Sequence, residues 1–183
     1  MKPLQSVAMG LVIVVLTARV RGFDLLPDPV GWLLVIAGVR RLPAALPRRG
    51  VVVGLAVLAG VVSVPLWVPG IADRLYDTDP SLAWAATLPQ LGFAVFLAAG
   101  LAVLADRGGD SRAARWLRVT RTAFVVVALL PVLVFGGGWT DGEDLAAAAA
   151  GLAAVTLVVL LFVDAGRDWA LAEPDEEPEV TAT

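Results

Sequence analysis

The sequence predicts an all-α protein: a polytopic transmembrane helical bundle of about six spans, arranged as three hairpins with both termini on the inside. Three observations carry that expectation. Hydrophobic residues make up 58% of the 183 residues and charged residues 17%, against about 45–50% and about 25% in soluble domains. Long uncharged runs recur at the length a bilayer requires. Arginine and lysine fall on alternate connections, not evenly along the chain.

The runs define the elements in order. A bilayer core of about 30 Å needs roughly 20 helical residues, with a range of about 17–25. Gly50 to Ala72 is an uncharged run of 23 and Pro80 to Ala105 one of 26. Thr122 to Thr140 and Leu145 to Val163 are 19 each. Pro3 to Ala18 is 16 and extends through Val20. It reads as a retained helix and not a cleaved signal, because Arg19 follows directly and no small-x-small site precedes a polar region. The sixth candidate starts at Asp28, where only 11 uncharged residues run from Pro29 to Val39. The expected spans are 3–20, 28–46, 50–70, 82–105, 116–138 and 145–164, within a transmembrane domain 1–171. Residues 172–183 form an acidic tail with prolines and little apolar content, expected to be disordered in the cytoplasm.

Threading follows from the excess of Arg and Lys in cytoplasmic loops. Six spans with an inside N-terminus put 11 cations inside: Lys2, Arg40, Arg41, Arg48, Arg49, Arg107, Arg112, Arg115, Arg118, Arg121 and Arg167. Arg19, Arg21 and Arg74 remain outside. The implied location is the inner (cell) membrane of a bacterium, as a multi-pass protein. Tryptophan prefers the two membrane interfaces. Trp67, Trp84 and Trp139 fall at outer ends, Trp116 and Trp169 at inner ends, and Trp32 near the outer end of span two.

A gapless overlay at an offset of 62 residues matches Leu26-Pro27 to Leu88-Pro89 and Ala37-Gly38 to Ala99-Gly100. Three parallel hairpins of similar design, or chance among few residue types, both account for it. Under the repeat, Gln90 occupies the place of Asp28.

Asp28-Pro29 has the form of a helix start: Asp is a preferred N-cap and Pro suits the first helical position. Pro27 and Pro29 keep the preceding backbone extended, and Gly31 permits a close helix approach. That reading explains every residue. The competing one is a polar site at the outer mouth, built from Arg19, Arg21, Asp24, Asp28 and Gln90, since ionisable groups at membrane depth are functional by default. Extending span two inward past Arg40 and Arg41, which can snorkel, is cheaper than drawing Asp24 and Asp28 into the bilayer. Arg112, Arg115, Arg118 and Arg121 form a basic cluster at the start of span five, suited to anionic lipid at the cytoplasmic face. "DRGGDSR" lacks the pattern and lysine of a phosphate loop. Asp164 can pair with Arg167. Ala56-x-x-x-Gly60 and Ala147-x-x-x-Gly151 suit tight packing.

Composition also narrows the chemistry. Cys and His are both absent, which leaves no disulfide, thiol nucleophile, imidazole base or usual zinc and haem ligand set. At mid-depth the four clear spans hold no Asp, Glu, Lys or His, and the polar residues there are Ser63, Thr87, Gln90 and Thr156. No nucleophile with an adjacent base is visible. The expectation is no enzyme, no cofactor, no metal and no nucleic-acid partner.

"GFDLLPDPVGWLLVIAG" resembles a segment of small multispanning bacterial membrane proteins, actinobacterial in type, that carry an LPDPxGW-type element and have no assigned activity. The resemblance covers 17 of 183 residues. It implies a polytopic inner-membrane protein marked by Asp28 and its two prolines, and it implies no substrate. The function expected is a structural or accessory membrane component, with the bilayer and another membrane protein as partners. The alternative is a small transporter or permease-like protein with its polar site around Asp28.

Overall fold

The computed structural model describes residues 1–15, 19–20, 23–24, 28–67, 70–78, 80–137 and 142–171. Seven α-helices account for most of them: α1 (Pro3–Val15), α2 (Asp28–Arg40), α3 (Arg49–Leu66), α4 (Ile71–Thr78), α5 (Pro80–Arg107), α6 (Ser111–Gly137) and α7 (Gly142–Asp164). A short 3-10 helix follows at Asp168–Ala170. Between α1 and α2 the backbone forms a two-rung antiparallel ladder, β1 (Arg19–Val20) on β2 (Phe23–Asp24). The disordered tail expected at 172–183 lies outside the described residues.

The long helices close into a ring in chain order. α1 packs on α2, α2 on α3, α3 on α5, α5 on α6, α6 on α7, and α7 returns to α1. The small α4 rests on α5. Neighbours run in opposite directions, so one end of the bundle collects the start of α1 and the ends of α2 and α7. Gly38 there approaches the Pro3 carbonyl, and Gly166 approaches the Lys2 ammonium. The end of α5 joins them through Gly108, which meets Trp169. Eleven of the 14 Lys and Arg side chains stand on the helix turns and loops of this basic end.

Glycine sets the closest contact. A Cβ at Gly10 would lie 2.5 Å from the Gly31 carbonyl oxygen, and one at Gly31 would lie 2.7 Å from that of Gly10. Gly38, seven residues after Gly31, meets the Pro3 carbonyl and the Val7 backbone in the same way. The α1 and α2 backbones therefore touch along their length, and the buried Ser6 hydroxyl donates across the seam to the Leu34 carbonyl at 3.0 Å. Trp32 fills the interior, with its ring edge-on to Phe93 of α5 at 5.3 Å and its Cβ against Gly60 of α3.

Three helices are long and apolar enough to cross a membrane: Arg49–Leu66, Ser81–Arg107 and Ala146–Asp164. α1 and α2 hold 13 residues each, about 20 Å at 1.5 Å per residue. α2 is thus shorter than the stretch expected at 28–46, while residues 16–18 of the stretch expected at 3–20 lie outside the described residues. Span two does not continue inward past Arg41, because Pro43 lacks an N–H and disfavours helix at Leu42. The chain turns instead and tucks Leu42 and Leu46 into the core, with Leu46 against Gly100. α6 is long enough but carries four arginines in its first three turns.

Outer faces are apolar. Only 22% of the apolar window of α3 and 17% of that of α7 is buried, against 56% for α5. Val57, Leu58, Val61 and Val64 stand exposed on α3, and Leu152, Val155, Val159 and Val163 on α7. Such continuous patches mark a membrane or protein interaction surface.

Trp32 lies in the second turn of α2, near the end expected, with its side chain 2% exposed and turned inward. Two further expectations change. Gly151 has open space around it and Ala147 is exposed, so that small-residue pair makes no packing seam, whereas Ala56 and Gly60 do. The 62-residue overlay places unlike structures together: Asp28 starts α2, while Leu88-Pro89-Gln90 lies within α5.

Candidate functional site

At the basic end, α5 passes into α6 through three residues. Gly109 takes a left-handed conformation, φ 78°, which glycine adopts without steric penalty. Its N–H donates to the Asp106 carbonyl at 3.0 Å, and the Asp110 N–H reaches back to the Ala105 carbonyl at 2.8 Å. This pair of bonds is a Schellman closure of α5. Asp110 then caps α6, its Oδ1 accepting from the Ala113 N–H at 3.0 Å. One residue thus ends one helix and begins the next. "DRGGDSR" is a tight helix–helix turn, not a phosphate loop.

Asp110 also gathers the chain's last helical turn. Its Oδ2 receives the Trp169 indole N–H at 3.5 Å and lies 3.6 Å from Arg167 Nε. The Ala113 N–H holds the Asp110 carboxyl below its ordinary range, against a smaller opposing effect of burial, and Trp169, Arg167 and Arg112 add to the lowering. Arg167 therefore pairs with Asp110, not with Asp164 as expected. Asp164 stays buried beside them, with Oδ2 accepting no hydrogen bond among the described residues.

These groups form the polar end of a groove of about 510 Å³ between α6 and α7. Asp110, Arg112, Asp164 and Arg167 line that end, and Val155, Val159 and Val163 of α7 run away from it opposite Trp116 of α6. Nothing in the local sequence marks the groove, because its two walls are 40 to 50 residues apart. The signal that was legible is the lone Asp164 closing an apolar helix.

The basic cluster sits on the exposed face of α6. Arg112, Arg115, Arg118 and Arg121 are all exposed, while Ala113, Ala114, Leu117 and Thr120 are buried. Arg118 pairs with Asp106, the last residue but one of α5. Helix side chains tilt toward the N-terminus, which here is the basic end, so the deeper arginines can snorkel toward it. Arg48 lies over the Phe96 ring at 5.7 Å.

The residues expected to form a polar site around Asp28 are only partly joined. The ladder sets the backbone of Arg19 opposite Asp24, and Arg21 lies outside the described residues. Asp28 is half-buried at the first residue of α2. Gln90 is exposed along α5, far in the chain from the start of α2. Among the described residues no group of three or more metal-binding side chains is assembled.

No family profile, curated protein or solved structure matches the chain.

Proposed function

We propose that the protein is a multi-pass component of the bacterial inner membrane, threaded six times with both termini in the cytoplasm, and that it acts without catalysis as a structural or accessory element. Its partners are the bilayer, anionic lipids at the cytoplasmic face and another membrane protein. The observation that carries the reading is the apolar outward surface of α3 and α7, joined at one end to most of the chain's cations. Apolar area of this kind gains about 25 cal/mol per Å² on leaving water, and a cationic rim matches the anionic leaflet.

Length is the constraint on six spans. α6, at 27 residues, is about 40 Å long. α1 and α2 are not, and they cross only where flanking chain or local bilayer thinning completes the width. Reporter fusions in each connection test the threading, and an external signal from the Arg48 loop sinks it. Copurification in mild detergent tests the accessory role: a stoichiometric membrane partner supports it, and a solitary protein counts against it.

A second reading, a small transporter with a polar site around Asp28, is favoured by the opposition of Arg19 and Asp24. Asp28→Asn retains a cap and removes the charge. Loss of a cellular phenotype in a normally folded Asn variant supports the site, and wild-type behaviour reduces Asp28 to a helix start.

A further inference from the structure

We infer that the groove between α6 and α7 is a headgroup site for a phospholipid bearing a primary ammonium, drawn from the leaflet at the basic end. The inference rests on the membrane reading above.

Asp164 is the group that asks for a ligand. It is 4% exposed, lines the groove, and its Oδ2 has no hydrogen-bond partner among the described residues. A buried polar atom left without a partner is costly. Among the described residues no cation forms an ion pair with it. Arg167 is paired with Asp110, and the Lys2 ammonium, beside Gly166, makes no ion pair among the described residues. A ligand with N–H donors would satisfy the oxygen. A primary ammonium brings three donors, whereas a quaternary ammonium brings none.

The rest of the groove orders the remaining chemistry. Arg112 is exposed and in no ion pair among the described residues, and the Arg167 side chain is 54% exposed. Both can meet a phosphate, which guanidinium binds through paired N–H groups. Val163, Val159 and Val155 then rise along α7 for about 12 Å, away from the charges. Trp116 flanks the opening with a half-apolar ring. Ammonium and phosphate at one end and an apolar run leading from them is the polarity of a phospholipid. A free phosphate or amine would leave the apolar run empty.

The test uses the full chain in non-ionic detergent, titrated by native mass spectrometry with three lipids of equal acyl length. The headgroups are ethanolamine, choline and glycerol. Phosphatidylethanolamine should bind about tenfold more tightly than the other two, the effect of one charge-assisted hydrogen bond. Asp164→Asn, which places an amide where the acceptor stood, should bring the three lipids level. Val159→Trp, at an exposed position, should weaken phosphatidylethanolamine without touching the carboxyl group, and it serves if the Asn variant does not fold. Equal binding of the ethanolamine and choline lipids overturns the inference. So does stronger binding of phosphatidylglycerol, or a preference that survives Asp164→Asn. Carbonate extraction of membranes separates the two levels. A chain that washes off removes the membrane reading, and a retained chain without headgroup preference removes the lipid site alone.

Discussion

Gly10 and Gly31 face each other across the α1–α2 seam, each at the point where a Cβ would meet the other's carbonyl oxygen, at 2.5 Å and 2.7 Å. Two short helices can hold together this way because backbone contact replaces the side-chain area they lack. Gly31→Val should therefore destabilise the protein by about 3 kcal/mol or more, at or beyond the upper end of ordinary overpacking. Backbone cannot move aside as a side chain does. Gly54 meets nothing within 4 Å, and Gly54→Ala should be neutral or stabilising by up to about 1 kcal/mol. Thermal unfolding in detergent compares the two.

Trp32 links three helices through Gly60 and Phe93. Trp32→Ala should cost about 3–5 kcal/mol, and Trp32→Phe clearly less, since a ring still meets Phe93. An interfacial tryptophan would give a far smaller loss on truncation. The same unfolding assay, with Trp67→Ala as the exposed comparison, distinguishes these outcomes.

Asp110 caps α6, so Asp110→Ala should cost about 0.5–2 kcal/mol and Asp110→Asn appreciably less. The Asn variant keeps an acceptor for the Ala113 N–H but loses the charge facing Arg167. Limited proteolysis across residues 107–112 reads the opening of the turn directly.

The lowered Asp110 carboxyl also predicts a pH dependence. A carboxyl more acidic in the folded state stabilises the fold fully above its unfolded value, about 3.9, and that contribution disappears as pH falls through the folded value. The melting temperature gap between wild type and Asp110→Ala should stay constant from neutral pH to about pH 5 and narrow below about pH 4. The groups around it are the Ala113 N–H, Trp169, Arg167 and Arg112, with Asp164 close by. None of the donors deprotonates in that window, and making the comparison in an Asp164→Asn background removes the one neighbouring carboxyl, so Asp110 is then the group the narrowing reports.

The elements differ in how much of them local sequence reveals. The runs 50–72, 80–105 and 145–163 became the three membrane-length helices, because an uninterrupted apolar stretch has few other stable structures. Gly31 was readable as a close approach, though its partner Gly10 was not. α4 was missed: it is a surface helix in an acidic connection, started by a left-handed Gly70 and held against α5. Snorkelling by Arg40 and Arg41 would allow a longer span two, but Pro43 ends the helix at Arg40. Residue type and position put Trp32 near one end of α2, but its inward packing depends on α3 and α5. The repeat aligned Asp28 with Gln90, yet one begins a helix and the other lies within one.

The chain alone determined that these residues form apolar helices, that cations collect on alternate turns, and that Asp28 can start a helix. Each of those depends on neighbours within a few positions. Tertiary structure decided the ring order, the Gly10–Gly31 seam, the choice of Asp110 over Asp164 by Arg167, and the groove in which Asp164 Oδ2 meets no donor among the described residues. These depend on which surfaces meet between residues far apart in the chain. Close packing settles that, and no local pattern encodes it.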